Sequence, residues 1–148
     1  MKKSLTLRER AIAHLARREH TRDELGRRLA PHAESPEELQ AVLDDLVRRK
    51  LISDERYAVS RSESLARKFG GARVVRELRN KGVAADAVER ISAELKTSEL
   101  ERAREVWKKR FGAPAQSAAE RAKQSRFLQA RGFSFDVIRH VIRGLDGE

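Results

Sequence analysis

His14, His20, His32 and His140 are the natural first place to look for chemistry, because imidazole is the side chain most readily turned into a base or metal ligand near neutral pH. No two of them stand at i, i+4 or in a His-Glu-x-x-His arrangement, the spacings that set two ligands on one helix face. They read as solvated or structural groups. Gly70-Gly71-Ala72-Arg73 could cradle a phosphate at a helix N-terminus. No Walker-type Gly-Lys-Thr/Ser follows it and no strand precedes it, so the glycines read as a helix cap. The acidic pairs Asp44-Asp45 and Asp54-Glu55 fall inside a helix and at a helix start, where the dipole alone favours carboxylate near an N-terminus. The chain has no cysteine, which removes thiolate nucleophiles, thiolate-held metals and disulfides. No catalytic residue, metal site or cofactor is expected, and the chain does not read as an enzyme.

The cations carry more information. Among 148 residues, 33 Lys and Arg face 23 Asp and Glu, a formal charge of +10, and 38% of the chain is charged. With 39% hydrophobic and 5% aromatic residues there is too little apolar material for one large core. The arginines follow a period. Arg27, Arg76 and Arg126 each stand two residues before a leucine, and His32, Lys81 and Arg131 stand three after it. At 100° per residue these positions lie about 200° and 300° around a helix from that leucine. If the leucine is buried, both should be exposed on one broad side, joined by Arg28, Arg73, Arg79 and Lys123. A solvated face would look similar, since arginine is a good helix former. A repeating basic side on so cationic a chain nevertheless suits a long anionic partner. Phe69, Trp107, Phe111 and Phe133 fall at apolar or cap positions rather than among these cations, so no base-stacking platform is expected.

The elements that must position this charge are helices. Ala, Leu, Glu, Arg and Lys fill nearly every window, and there are only three prolines. Thr21-to-Glu24, Ser35-to-Glu38, Ser98-to-Glu101 and Ser117-to-Glu120 fit the capping box, with Ser53 and Ser134 as simple N-caps. Gly70-Gly71, Gly82, Gly112 and Gly132 supply left-handed C-caps. Nine helices are predicted, near 7–18, 21–30, 36–49, 54–69, 72–81, 85–95, 99–111, 118–131 and 135–145. They repeat. Leu29, Leu78 and Leu128, spaced 49 and 50 residues apart, are each followed by an apolar stripe at offsets of 10, 13 and 17: Leu39, Val42 and Leu46; Val88, Ile91 and Leu95; Ile138, Val141 and Leu145. A preceding helix completes each unit through Ala11, Ile12 and Leu15, through Tyr57, Ala58, Leu65 and Phe69, or through Leu100, Ala103, Trp107 and Phe111. The prediction is all-α: three tandem three-helix repeats over 5–52, 53–96 and 97–148. Units ~25 Å across would form an elongated curved rod about 70–80 Å long. No apolar run approaches the ~20 residues of a membrane span, and charges follow Leu5 where a signal sequence would be apolar, so a cytoplasmic monomer is expected.

The segment Leu51-Ile52-Ser53-Asp54-Glu55-Arg56-Tyr57-Ala58, then Phe69-Gly70, then Arg76-Glu77-Leu78-Arg79-Asn80-Lys81-Gly82-Val83, resembles the central region of the RecX recombination regulators. Thr21-Arg22-Asp23-Glu24-Leu25 and Arg126-Phe127-Leu128-Gln129-Ala130-Arg131-Gly132-Phe133 resemble the flanking repeats. The order and threefold repetition of these short motifs over nearly the whole chain carry the likeness. Two local departures are Ala33 where later units have glycine, and an insertion from Gly112 to Ser117. The resemblance implies a bacterial protein that binds RecA recombinase filaments on single-stranded DNA, lies in the filament groove, and inhibits strand exchange and ATP hydrolysis. Arg27, Arg28, Arg73, Arg76, Arg79, Lys81, Lys123, Arg126 and Arg131 are the partner-binding candidates. The competing reading is a helical module acting directly on DNA. Its weakness is the lack of base-reading side chains, Asn80 being the only asparagine.

Overall fold

The computed structural model describes residues 4–144, and among these there is no strand. Eight α-helices and one 3-10 turn follow in order: α1 (Leu7–Arg17), α2 (Arg22–Leu29), the 3-10 turn (Ala30–His32), α3 (Pro36–Arg48), α4 (Asp54–Ala66), α5 (Gly71–Asn80), α6 (Ala85–Arg110), α7 (Ala118–Ala130) and α8 (Phe135–Arg143). Six of the eight α-helix starts are hydroxyl caps. Thr6, Thr21, Ser35, Ser53, Ser117 and Ser134 each accept the N–H three residues on, at 3.0–3.3 Å, satisfying amides that have no partner within the helix.

The expected break between helices at 95–99 is absent. Residues 85–110 contain neither glycine nor proline, so nothing stops the helix, and α6 runs unbroken for 26 residues. Ser98 does not cap; its hydroxyl lies along the helix and donates to Leu95 O at 3.4 Å. Gly70 is the second correction. Gly82, Gly112 and Gly132 have φ of +80°, +71° and +91°, but Gly70 sits at −77° as the N-cap of α5. A Cβ there would stand 2.3 Å from Gly132 O, so close backbone approach, not left-handed turning, requires the glycine.

Three apolar clusters hold the helices. Leu7, Ala11, Leu25, Leu29, Leu43, Leu46 and Ile52 form the first; Tyr57, Val74, Leu78, Val88, Ile91 and Leu95 centre the second; Ala103, Trp107, Leu128, Phe133, Ile138 and Val141 centre the third. The repeat leucines Leu29, Leu78 and Leu128 are all fully buried. Ile12, expected inside, is 43% exposed, and Leu7 takes its place. Leu145, expected to end the last stripe, lies outside the described residues. The accessible surface of 10,100 Å² exceeds the ~7,700 Å² of a compact globule of this mass, as an elongated array requires.

Successive clusters meet through the ends of their middle helices, α2, α5 and α7. The Thr21 hydroxyl at the start of α2 donates to Lys81 O at the end of α5, 2.7 Å away. Gly70 N–H at the start of α5 donates to Arg131 O at the end of α7, also 2.7 Å away. Thr21 and Gly70 are 49 residues apart, Lys81 and Arg131 are 50, so the two junctions are one contact repeated. α5 and α7 can present those carbonyls because each ends in a left-handed glycine whose successor, Val83 or Phe133, is buried and bonds back to Leu78 O or Leu128 O. α2 ends differently, in the Pro31 turn and an extended Ala33 at φ −81°.

Two substitutions test these assignments. Lys50 closes α3 at φ +61°, so Lys50→Gly is expected to stabilise by about 0.5–1 kcal/mol in urea titrations. Gly70→Ala must push backbone from backbone and is expected to cost about 1–3 kcal/mol or more. It should also speed hydrogen exchange at the amide of residue 70, which donates to Arg131 O; exchange as slow as the parent's there would contradict the close approach.

Candidate partner-binding face

Each middle helix buries one side and presents the other. On α5 the buried side is Val74 and Leu78, and Arg73, Arg76, Arg79 and Asn80 are exposed. Lys123 and Arg126 are exposed on α7, as are Arg27 and Arg28 on α2. Their surroundings divide the candidates. Arg27 is held by Asp23 of its own helix at 2.7 Å, and Arg73 stacks over the Phe69 ring at 4.1 Å. Arg28, Arg76, Arg79, Lys123 and Arg126 carry no ion pair to a carboxylate among the described residues. Because the same junction joins each middle helix to the next, Arg76 and Arg126 recur at equivalent stations along the array.

Lys81 and Arg131, expected to be exposed, are half-buried at the junctions. Arg131 lies between two aromatic rings, 5.3 Å from Phe69 and 5.1 Å from Phe127. Lys81 Nζ donates to Glu24 Oε2 at 3.3 Å, and Glu24 also receives both Arg18 guanidinium nitrogens at 3.0 and 2.9 Å. Phe69 and Phe127 are therefore seats for arginine as well as packing. Lys81 and Glu24 lie 57 residues apart, and Arg131 and Phe69 are farther still, so no local spacing signals those contacts, whereas Arg131 and Phe127 stand at i, i+4.

Glu24 is the buried electrostatic knot of the first junction. It is 8% exposed; the Arg18 hydrogen bonds, helped by Lys81 and opposed by burial, bring its pKa down to about 2. Asp45 is likewise held at about 2, by Arg48 and then Arg49, but at the surface. At the other junction Glu99, also 8% exposed, accepts Gly71 N–H at 2.9 Å, supplying the cap that Gly70 has no side chain to provide. Arg102 donates to Ala66 O at 3.1 Å and Phe69 O at 2.8 Å, tying the end of α4 to α6. His20 is buried beside Arg18 O, 3.0 Å from Nδ1, and burial lowers its pKa, which makes it a structural histidine.

Among the described residues no group of three His, Asp or Glu is placed to hold a metal ion, and no helix is long and apolar enough to cross a membrane. What the fold and the face define is an array of three-helix units with a cationic side. Comparison with known proteins gives the class a name. The family model for the second three-helix domain of RecX matches residues 53–91, and that for the third matches 97–142. The regulatory protein RecX of Leptothrix cholodnii is 51% identical over 97% of this chain and 92% of its own, and that of Ralstonia nicotianae is 46% identical over 96% and 89%. The crystal structure of RecX from Lactobacillus salivarius superposes with a TM-score of 0.80 at 21% identity, covering 95% of this chain and 94% of that one. The chain belongs to the RecX family of regulatory proteins, which are not enzymes.

The Glu24 knot makes a pH prediction. An unfolded glutamate titrates near 4.5 and the folded one near 2, so between these values the unfolded chain binds the extra proton. The contribution, about 3 kcal/mol, is present in full well above pH 4.5 and is lost as pH falls through 4.5 toward 2. Glu24→Gln is expected to destabilise the protein by that order at pH 7. It should also flatten the stability profile between pH 4.5 and 2 in denaturant titrations; a profile as steep as the parent's would clear Glu24 of the role.

Proposed function

We propose that this chain regulates the RecA recombinase by binding its filaments on single-stranded DNA, lying in the filament's helical groove and inhibiting strand exchange and ATP hydrolysis. One observation carries the reading: Arg76, Arg79, Lys123 and Arg126 stand exposed and without an acidic partner among the described residues, on helices joined end to end by a repeated contact. A periodic cationic face suits a periodic anionic groove, and an array of three units, 5–52, 53–96 and 97–148, reaches more of it than a globule of the same mass. Membership of a family of regulatory proteins supports the same reading. The chain acts as a monomer in the cytoplasm, where the filament forms, and needs no cofactor. Arg27, Arg28, Arg73, Lys81 and Arg131 complete the proposed face; Lys81 and Arg131 serve it chiefly by fixing the angle between units.

The test is to titrate the protein into preformed filaments while following ATP hydrolysis, and to measure its binding to bare DNA in the same buffer. Inhibition is expected at concentrations where bare DNA is still unbound. Inhibition that tracks saturation of bare DNA would instead favour a module acting directly on DNA. Reversing Arg76, Arg79 and Arg126 to glutamate should raise the inhibitory midpoint by about tenfold or more with an unchanged helical circular-dichroism signal. An unshifted midpoint would remove this face from the interface.

A further inference from the structure

Phe135 is the most exposed large apolar side chain among the described residues, at 69%. It opens α8 directly after the Ser134 cap and belongs to none of the three cores. Instead it forms one wall of a cleft of about 330 Å³ between α7 and α8, continued by Ile138 and Ile142. Arg139, one turn along α8, places its guanidinium 5.3 Å from the Phe135 ring centroid. Arg121 and Arg143 line the cleft with it, and Ser125 and Gln129 of α7 add hydroxyl and amide groups. Among the described residues no carboxylate lines it; Asp136, 88% exposed, lies 3.8 Å from Arg139.

We infer that this cleft takes one unstacked base of a single-stranded nucleic acid, with the base on the Phe135 ring and the adjoining phosphate on Arg139 and Arg143. Each part of the cleft has a use in that complex. An exposed aromatic with arginines beside it is the combination that single-strand binders use, because every base has a π-face and every nucleotide a phosphate. Gln129 and Ser125 can donate to or accept from a base edge. The volume lies at the small end of ligand sites, about 300–1,000 Å³, which suits one nucleoside and not a folded element. An acidic peptide would use the arginines but leave the flat apolar wall idle. The cleft also adjoins the cationic face. On α7, Lys123, Arg126, Gln129, Ser125 and Arg121 follow one another around an arc of about 200°, so a strand running along the first two is led to it. Only that path rests on the function proposed above; the cleft stands on its own geometry.

The experiment uses the protein without recombinase, so its failure and the failure of filament regulation are distinguishable. Fluorescence anisotropy would compare an oligothymidylate with an abasic oligomer of equal length and equal phosphate count. The expected result is at least about fivefold tighter binding of the thymidylate, the size of one base stacked on an aromatic ring. Phe135→Ala should lose that preference with its salt dependence unchanged. Arg139→Gln should keep the preference and lower the salt slope by about 0.7. Because Phe135 is exposed, its alanine variant should fold, which circular dichroism checks. Equal binding of the two oligomers by the parent, an unaltered preference in Phe135→Ala, or displacement of the oligomer from the parent but not from Phe135→Ala by polyglutamate would each overturn the assignment.

Discussion

A helix ends in carbonyls that lack donors and begins in amides that lack acceptors, and burying either end unsatisfied is costly. Here the middle helices of successive units answer each other's needs. The last carbonyl of α7 takes the first amide of α5, and the last carbonyl of α5 takes the hydroxyl that caps α2. The negative end of one dipole thus lies against the positive end of the next. This contact sets the spacing of everything attached to the middle helices, including the cations. It also explains features that look unrelated: the glycine at 70, the left-handed glycines at 82 and 132, and the burial of Glu24 and Glu99 beside helix N-termini.

The two junctions solve one geometric problem with different chemistry. Between the first two units the contact is ionic, with Glu24 gripping Arg18 and Lys81. Between the last two it is backbone against backbone, sealed by arginines over Phe69 and Phe127 and stiffened by the uninterrupted α6. The charge on the molecule is sorted accordingly. Arginines and lysines at the seams are engaged in holding units together, while those between the seams face solvent.

The fold was largely legible because its determinants are local. Thr21, Ser35, Ser53, Ser117 and Ser134 cap where a hydroxyl three residues ahead of an amide should, and Leu29, Leu78 and Leu128 are buried as their spacing demands. The failures arise where the local pattern is overridden, by a distant partner or by the helix itself. Ser98 and Glu101 have the pattern of a cap, yet the turn before them is held by Arg102 reaching Leu95 O, and the neighbouring Glu99 is taken by Gly71 from 28 residues away. Gly70 carries the same letter as Gly112 but obeys a neighbour in the next unit. Lys81 and Arg131 follow the exposed period and are drawn inward by Glu24 and by two aromatic rings. Phe135 escaped notice because a residue next to a cap has no periodic signature; only its exposure beside Arg139 marks it out.

The end of α2 has a consequence for how copies of this chain treat one another. Both junctions set a neighbour's helix start against a middle helix that closes in a left-handed glycine, and at the corresponding place after α2 this chain has an extended Ala33 behind Pro31. One end of the array therefore lacks the closing turn through which both internal junctions form, so it does not offer a second copy of this chain the contact that α5 and α7 offer their neighbours.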